Sequence, residues 1–340
     1  MKRVRIVNNH SSTLSVPLSA TRNAVHSSVA VFDVSNRTQI EIRGADRVRF
    51  LHSFTSNDIK RLKPGSGCET FVTNLKGKVV AHVYVFCQED SHWLDGTSNQ
   101  QAAILSHLGK FILIDDVQLL PRDADRGELF VTGPLATQLL QLNETTQVGD
   151  SVQRESRESS IDIRRVDLFG PPGFLMSVPI PQIAVVKHGL LSVGVLEGTP
   201  EHHEFLRIEA GYPQFGLDFT DDYLAQEVAR NKQCISFDKG CYLGQETIAR
   251  LDALGHTNRE LRRIQVETSI VPPAGTCVYD ASGGNEVGVI TSVARDDQNP
   301  DPAQNQVVAI GTLKRSACAP GTRICLKLDS GHAEGTVLSQ

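Results

Sequence analysis

The chain has 340 residues, of which 40% are apolar and 21% charged, and its formal net charge is -5. This length accommodates two or three domains with hydrophobic cores, and the composition excludes a largely disordered protein. The negative charge argues against a protein that coats nucleic acid without specificity, and no apolar run approaches the length of a membrane span.

Seven cysteines lie at positions 68, 87, 234, 241, 277, 318 and 325. Their number is odd and their spacing is wide, which fits neither a complete disulfide framework nor a Cys-x-x-Cys metal site. Residues 1–20 lack the continuous apolar stretch of a secretion signal. We therefore expect a soluble cytoplasmic protein with reduced thiols and no membrane partner.

Residues 1–27 are polar and have no hydrophobic period, so they are expected to form a loose N-terminal arm. Beyond them, the pattern predicts strands over 30–34 and 39–42, a helix over 45–54, strands over 69–74 and 79–87, a helix over 99–111 and a strand over 113–119. From the strand over 39–42 onward, the order is strand, helix, two strands, helix, strand, which is that of a split βαβ unit. We predict a first ferredoxin-like segment over 28–121.

The same element order recurs in the middle of the chain, without any repeat of sequence. The predicted elements are a strand over 128–132, a helix over 134–142, a loop over 147–160, strands over 161–167 and 174–178, and a helix over 181–189. We therefore predict a second ferredoxin-like segment over 122–257. Residues 258–340 contain short β-prone runs between turns rich in Gly and Pro, which predicts a small C-terminal β-barrel and an α+β fold class overall.

A helix is predicted to begin at Thr199-Pro200, a capping residue followed by a proline at the first helical position. It ends at Gly211, after Arg207 and Glu209. A carboxylate at such a helix end can accept two parallel N–H bonds from a planar heterocycle such as a pterin or guanine. The alternative is an ordinary ion pair between neighbouring charged residues.

The nonapeptide 239–247, Lys-Gly-Cys-Tyr-Leu-Gly-Gln-Glu-Thr, is the densest group of functional side chains in the chain. Its glycines permit a tight turn, and the apolar residues after it predict a helix whose N-terminus favours an anion. Cys241 is a candidate nucleophile or redox thiol, activated by the helix start and by Lys239. The alternative is a small buried cysteine in a packed turn.

The surroundings of the nonapeptide are basic. Residues 230–263 contain seven Lys or Arg and four Asp or Glu, so an anionic ligand is expected there, or else solvated faces of a helix and a strand. His202 and His203 are adjacent and point apart on a helix, and no Cys or His lies at ligand spacing from Cys241, so no metal site is predicted. Walker, GxGxxG and GxSxG motifs are absent from the sequence.

The nonapeptide resembles the signature of the YgfZ-type folate-binding proteins, which are relatives of the glycine-cleavage T-protein, an aminomethyltransferase. Further support comes from residues 207–213, Arg-Ile-Glu-Ala-Gly-Tyr-Pro, from residues 50–58, Phe-Leu-His-Ser-Phe-Thr-Ser-Asn-Asp, and from the Gly-containing strand near Val287-Gly288. The resemblance implies two ferredoxin-like segments and a β-barrel around a central folate pocket.

The resemblance also implies ligands, partners and site residues. Tetrahydrofolate or a one-carbon derivative would be the cofactor, and the residues expected to bind it are Glu209, Arg207, Lys239, Tyr242 and Gln245, with Cys241 as the catalytic thiol. Members of the family support assembly or repair of iron–sulfur enzymes, including those that modify tRNA. Iron–sulfur client enzymes are therefore the expected partners, with tRNA involved only indirectly or weakly.

The sequence departs from true aminomethyltransferases on the second strand of the first hairpin. Those enzymes carry paired Asp residues where this chain has Ala81-His82, so no carboxylate is expected there and aminomethyl transfer is disfavoured. Two other functions remain open. One is a one-carbon transferase with altered catalytic groups such as His82, and the other is a non-catalytic module that binds RNA or protein through residues 230–263.

Overall fold

The computed structural model describes residues 16–156, 159–268, 270–295, 307–328 and 331–339, whose strands form two open sheets and one closed barrel. The α-helices are α1 (Leu18–Ser27), α2 (Arg47–Phe54), α3 (Gln101–Gly109), α4 (Ala136–Leu139), α5 (Ile183–Ser192), α6 (Pro200–Ala210), α7 (Asn231–Cys234) and α8 (Gln245–Leu254). Short 3₁₀ turns cover Ile59–Arg61, Ile180–Gln182, Ala225–Val228 and Arg315–Ala317.

The strands are β1 (Ala30–Asp33), β2 (Thr38–Arg43), β3 (Gly67–Thr73), β4 (Val79–Cys87), β5 (His92–Gly96), β6 (Gln118–Pro121), β7 (Arg126–Thr132), β8 (Ser151–Ser156), β9 (Ser159–Val166), β10 (Gly173–Pro179), β11 (Leu196–Glu197), β12 (Arg259–Glu267), β13 (Cys277–Asp280), β14 (Glu286–Arg295), β15 (Val307–Lys314), β16 (Arg323–Leu328) and β17 (Gly331–Val337). The α+β class with a C-terminal barrel is confirmed.

The first sheet has the strand order β3-β4-β5-β2-β6 and is ferredoxin-like, as predicted. The predicted hairpin is present, with Val72 opposite Ala81 in its antiparallel ladder. Strand β5 was not predicted. All five of its residues are buried, so its sequence lacks the alternation of polar and apolar residues by which a half-exposed strand is recognised.

The second sheet has the order β11-β1-β7-β10-β9-β8 and is also ferredoxin-like. Two expectations need correction here. Strand β1 pairs with β7 and not with the first sheet, so the first segment does not begin at residue 28 as a separate unit. Strand β8 occupies part of the predicted 147–160 loop, because its polar residues pair with β9 as the edge strand of the sheet.

The predicted loose arm contains a helix. Residues 1–15 lie outside the described part of the chain, but Leu18–Ser27 form α1, whose buried residues Leu18, Thr21 and Val25 lie on one face at helical spacing. Thr21 Oγ1 lies 2.9 Å from Nδ1 of His202 on α6. The helix is therefore stabilised by packing on α6, which composition alone does not reveal.

The six C-terminal strands close into a barrel in the order β12-β15-β14-β13-β16-β17. One hydrophobic cluster then joins all three units, with Phe71 from the first sheet, Phe130 from the second, and Leu261 and Ile310 from the barrel. Helix α6 lies among them and begins and ends as predicted. Thr199 Oγ1 caps its start, and Gly211 ends it in a left-handed conformation.

Candidate functional site

Lys239 lies inside the protein with 5% of its surface exposed. Its Nζ donates to the carbonyl oxygens of His52 at 2.7 Å, Thr55 at 2.6 Å and Asn57 at 2.8 Å. An ammonium group has three N–H bonds, so all of them are used within the chain. Burial lowers the pKa of Lys239 to about 8. Lys239 therefore holds the nonapeptide against the last turn of α2 and the residues after it, and in this arrangement it offers no donor to a ligand.

Tyr242 and Gln245 belong to the same turn and contact residues of the turn itself. The Tyr242 ring centre lies 4.6 Å from Lys239 Nζ, and the Tyr242 backbone N–H donates to Gln245 Oε1 at 3.3 Å. Burial raises the pKa of the Tyr242 phenol to about 12, so the group is neutral at physiological pH. Three of the predicted binding residues are thus brought together, as a rigid support for the loop that carries Cys241.

Cys241 is the one exposed cysteine of the seven, all of which lie within the described residues. The turn that presents it is attached at both ends. Leu243 N–H donates to the Ser53 carbonyl at 2.8 Å, and Thr73 Oγ1 donates to the Leu243 carbonyl at 2.6 Å. A thiol on a fixed, accessible turn beside the start of α8 meets the steric requirement for reaction with a partner.

Arg207 is buried and fully engaged within the fold. Its Nε and Nη2 pair with Glu204 at 2.8 and 2.6 Å, and Nη1 donates to Asp218 and to the Tyr212 carbonyl, each at 2.6 Å. The remaining Nη2 hydrogen reaches Ser292 Oγ on β14 at 2.9 Å. All five donors of the guanidinium are used, so Arg207 attaches α6 to the barrel and does not stand beside Glu209 as a second ligand contact.

Glu209 faces helix α1. Its carboxylate forms an ion pair with Arg22, and Nε2 of His26 lies 4.0 Å from its Oε2. The Glu209 side chain keeps 21% of its surface exposed. The site residues predicted from the sequence therefore occupy three places, with Lys239, Tyr242, Gln245 and Cys241 at the nonapeptide, Arg207 at the barrel, and Glu209 against α1.

A buried polar cluster on β3 and β4 was missed by sequence reasoning. His82 is 3% exposed, and its Nε2 lies 2.5 Å from Glu69 Oε1 and 3.7 Å from Cys234 Sγ. Arg230 binds both Glu69 oxygens at 2.5 and 2.6 Å. Strand β4 itself carries no carboxylate, but Glu69 of the neighbouring strand β3 places one beside His82.

The charges in this cluster are set by burial and pairing. Burial alone would raise the pKa of Glu69, but Arg230 and the hydrogen bond from His82 outweigh it, so the carboxyl stays ionised. Burial lowers the pKa of His82 and raises that of the Cys234 thiol, so both groups are neutral. The cluster therefore contains one carboxylate paired with one guanidinium, and the His82 ring stacks on Tyr212 at 5.7 Å between centroids.

A cavity of about 560 Å³ lies where the β1–β2 connection meets the start of α6. Phe32 forms part of its wall, and Arg37, His203 and Gln214 are among the polar residues that line it. Within the described residues, the His203 ring nitrogens, the Gln214 carboxamide and Nη1 of Arg37 have no hydrogen-bond partner. An apolar wall with a few convergent polar groups is typical of a small-molecule site.

Arg37 is fixed in this wall by a buried charge network between the two sheets. Its Nη2 lies 2.8 Å from Asp95 Oδ1, and Arg164 Nη1 lies 3.1 Å from Asp95 Oδ2 and 3.2 Å from Glu128 Oε1. Burial and the neighbouring Asp95 raise the pKa of Glu128 well above its usual range, so that carboxyl is protonated. The network thereby limits its net charge while keeping the Arg37 guanidinium immobile.

The basic residues of the 230–263 stretch do not form one exposed patch. Lys232 and Arg250 are exposed, whereas Arg230 and Lys239 point inward, and Arg259 pairs with Glu227 at 3.2 Å. The charge excess counted in the sequence is therefore dispersed, which weakens the expectation of an RNA-binding surface. None of the helices within the described residues is long and apolar enough to cross a membrane.

Comparison with known proteins agrees with this architecture. An aminomethyltransferase of Deinococcus deserti is 26% identical over 215 residues, which are 60% of this chain and 59% of that protein. A chloroplastic protein of Arabidopsis thaliana, provisionally named a transferase, is 27% identical over 313 residues, or 90% of this chain and 70% of that protein. The match therefore spans less than two thirds of the Deinococcus relative.

The glycine cleavage system aminomethyltransferase T of Bartonella henselae has a solved structure with the same fold. It superposes with a TM-score of 0.83 at 21% identity, over 95% of this chain and 88% of that chain. In sequence, the GCVT N-terminal domain family matches residues 12–239. Because that match takes in well over half of the chain, the protein belongs to the GCVT N-terminal domain family.

Proposed function

We propose that the protein binds a reduced folate, tetrahydrofolate or a one-carbon derivative of it. The cavity beside Arg37 is the observation that carries the proposal, because it combines sufficient volume with an aromatic wall and unpaired polar groups. The match to the GCVT N-terminal domain family and the aminomethyltransferase names of the Deinococcus and Bartonella relatives support it, since the resemblance to folate-binding relatives of the T-protein implies tetrahydrofolate as the ligand.

The polar groups of the cavity match the parts of a folate. A pterin edge carries N–H donors and ring acceptors, which the Gln214 carboxamide and the neutral His203 imidazole can pair with. The glutamyl carboxylates are anionic, and Arg37 Nη1 is the cationic donor of the cavity wall. Glu209 contacts α1 and does not line this cavity, so its proposed contact with the pterin requires the Arg22 ion pair to open and the ligand to extend beyond the cavity wall.

For the cellular role, we propose support of iron–sulfur enzymes, with Cys241 as the reacting thiol, and an indirect effect on tRNA modification. The exposure of Cys241 beside the rigid Lys239 turn supports a role in which the thiol meets a large partner. The resemblance of the nonapeptide to the YgfZ signature supports the choice of partner. Lys239, Tyr242 and Gln245 would act by positioning the Cys241 turn.

Titration of tetrahydrofolate under anaerobic conditions tests ligand binding. The wild-type chain should bind one equivalent, and Gln214→Leu and Glu209→Ala should each weaken binding about tenfold, the effect of losing one charge-assisted or buried hydrogen bond. Lys76→Ala, an exposed substitution, should leave the affinity unchanged. Absence of binding by the wild-type chain would refute folate recognition, and unchanged affinity in both site variants would place the ligand elsewhere.

The cellular role needs its own measurement. Cells that lack the protein should show reduced activity of iron–sulfur enzymes, restored by the wild-type chain and not by Cys241→Ala. Cys277→Ala changes another partly accessible thiol and should restore activity as the wild type does. Full restoration by Cys241→Ala would show that the thiol is not needed for the proposed cellular role. It would not contradict the proposal of folate binding.

A further inference from the structure

We propose that Glu69, His82 and Cys234 form a binding site for a divalent transition-metal ion of the zinc type. The three residues come from β3, β4 and α7, and one ligand atom from each lies within 4.8 Å of the other two. All three side chains are buried, with exposed fractions of 4% for Glu69, 3% for His82 and 0% for Cys234. None of the three residues lines the cavity beside Arg37, and none belongs to the nonapeptide with Cys241, so the proposal does not depend on the roles assigned there.

The separation between His82 and Cys234 fits a metal coordination shell, and Glu69 needs a small adjustment. Zn–N bonds of about 2.0 Å and Zn–S bonds of about 2.3 Å place tetrahedral N and S ligands roughly 3.5 Å apart. Nε2 of His82 and Sγ of Cys234 are 3.7 Å apart. Oε1 of Glu69 is 2.5 Å from Nε2, which is closer than two ligands of one ion, so metal binding requires a small rotation of the Glu69 carboxylate.

The hydrogen bonding of His82 supplies the physical argument for a cation. The same nitrogen, Nε2, faces both the Glu69 carboxylate and the Cys234 sulfur. One nitrogen carries at most one proton, so when Nε2–H donates to Glu69 it cannot also accept from the Cys234 thiol. A cation placed among the three atoms satisfies all of them at once, because each presents a lone pair to it.

Binding changes the protonation of the cluster in a defined way. The imidazole proton moves from Nε2 to Nδ1, the Cys234 thiol loses its proton to solvent, and the ion gains one nitrogen, one sulfur and one carboxylate oxygen. A mixed N, O and S ligand set favours Zn²⁺, Co²⁺ or Fe²⁺ over Mg²⁺ and Ca²⁺, which prefer oxygen. Three protein ligands leave a fourth coordination position for water or another small ligand.

Arg230 is a positioning residue for this site. It holds both oxygens of Glu69, and its guanidinium lies 4.7 Å from the centre of the Tyr212 ring. When Glu69 Oε1 turns to the ion, Oε2 keeps its hydrogen bond with Arg230 Nη2, in the way that outer partners orient metal-bound carboxylates. The positive charge of Arg230 opposes that of the ion, so the affinity depends on formation of the Cys234 thiolate.

The test uses Co²⁺ as a spectroscopic probe for Zn²⁺ on the full-length chain, after removal of bound metal by a chelator. Wild-type protein should bind one equivalent of Co²⁺ and show a thiolate-to-cobalt charge-transfer band that Zn²⁺ removes by competition. Cys241→Ala should behave as the wild type. Cys234→Ala, checked for folding by circular dichroism, should lose the band, and Arg230→Lys should bind about tenfold more weakly.

A measurement on the wild-type chain alone covers the case in which a variant fails to fold. X-ray absorption of the Zn²⁺-loaded protein should show one sulfur ligand together with nitrogen or oxygen ligands. The proposal is overturned by any of three results, namely no stoichiometric binding, a band that survives in Cys234→Ala, or a band that is lost in Cys241→Ala. Since tetrahydrofolate titration is a separate experiment, failure of the metal site leaves folate binding to be decided independently.

Discussion

Nζ of Lys239 lies 2.7 Å from the carbonyl oxygen of His52, and its two other hydrogen bonds go to Thr55 and Asn57. The ammonium group thereby donates all three of its N–H bonds to carbonyls at the C-terminal end of α2 and just after it. Helix α2 is part of the unit formed around the first sheet, and Lys239 is the first residue of the nonapeptide. This single side chain therefore connects that unit to the nonapeptide. Removal of the Lys239 ammonium group should therefore lower the free energy of unfolding first, and ligand affinity only as a consequence.

Lys239→Met should lower the free energy of unfolding by about 2 to 4 kcal/mol, because it keeps the length of the side chain and leaves three carbonyls without a donor. Urea unfolding measures the change. Lys76→Met is the matched control at an exposed position, and we expect it to change stability by less than about 0.5 kcal/mol. Equal stabilities for the two variants would show that water molecules donate to the three carbonyls in place of Lys239.

Gly244→Ala should destabilise the protein more than Gly255→Ala does. Both glycines are left-handed and flank α8, at φ of +86° and +70°. A Cβ on Gly244 would meet the Asn74 carbonyl oxygen at 2.4 Å, whereas a Cβ on Gly255 meets nothing within 4 Å. We expect a cost of about 1 kcal/mol at Gly255 from backbone conformation alone. At Gly244 the clash should add roughly 1 to 3 kcal/mol, and equal costs in urea unfolding would argue against close packing of the turn.

Arg164→Met should destabilise the protein by about 3 to 5 kcal/mol, the cost of breaking a buried ion pair from one side. The Arg164 side chain is fully buried and contacts Asp95, Glu128 and Asp162. Arg43→Met provides the exposed control and should cost no more than about 1 kcal/mol, since the Arg43 side chain is exposed and its buried partner Glu41 keeps a second ion pair with Arg122. Thermal and urea unfolding both report the difference, and a small effect at Arg164 would mean that the network rearranges around the gap.

Acid should destabilise the protein partly through His203. Burial, with the nearby positive charges of Arg37 and Arg207, lowers the pKa of this imidazole to about 3. Between the ordinary histidine pKa of about 6.5 and that value, the unfolded chain binds a proton that the folded chain does not, so stability falls as the pH falls. At pH about 4.5 the loss from this group is roughly 2 kcal/mol.

His203→Gln removes this contribution while keeping a polar side chain at the cavity wall. The variant should therefore lose about 2 kcal/mol less stability than the wild type between pH about 6.5 and about 4.5. Urea unfolding of both proteins at the two pH values gives the comparison directly. If the wild type and the variant lose the same free energy of unfolding between the two pH values, His203 is protonated in the folded state.

Brief treatment of the native protein with iodoacetamide should label Cys241 before the other six cysteines, because Cys241 alone is exposed. Peptide mass spectrometry should find one labelled thiol per chain at early times and none in Cys241→Ala. Cys68 and Cys277 are partly accessible and serve as internal references. Earlier labelling of either would contradict the accessibility described for the nonapeptide turn.

The fold could be predicted where local patterns and turn residues agree. The β3–β4 hairpin has an alternating strand and a Lys76-Gly77 turn, and α6 has Thr199 and Gly211 at its ends, so both were predicted from the sequence. Strand β5 was not, because burial on both faces removes the alternation. Helix α1 was missed because it has few apolar residues, and these form a buried face only through their packing against α6.

The candidate site was less predictable because its contacts join distant parts of the chain. The nonapeptide was recognised from its composition. The hydrogen-bond partners of Lys239 lie more than 180 positions away, so the sequence could not show that Lys239 is buried and bound to them. The pairing of His82 with Glu69 follows from the β3–β4 register, which the predicted hairpin implies without specifying. Cys234 joins them from a separate helix, and no spacing rule connects it to His82.

The position of strand β1 affects the order in which the protein can assemble during synthesis. All strands of the first sheet lie between residues 38 and 121, so that sheet can close as soon as residue 121 has left the ribosome. Strand β1 is made earlier but pairs with β7 and β11, and β11 ends at residue 197. The nascent chain must therefore keep strand β1 unpaired while the first sheet folds, and the second sheet is completed around it afterwards.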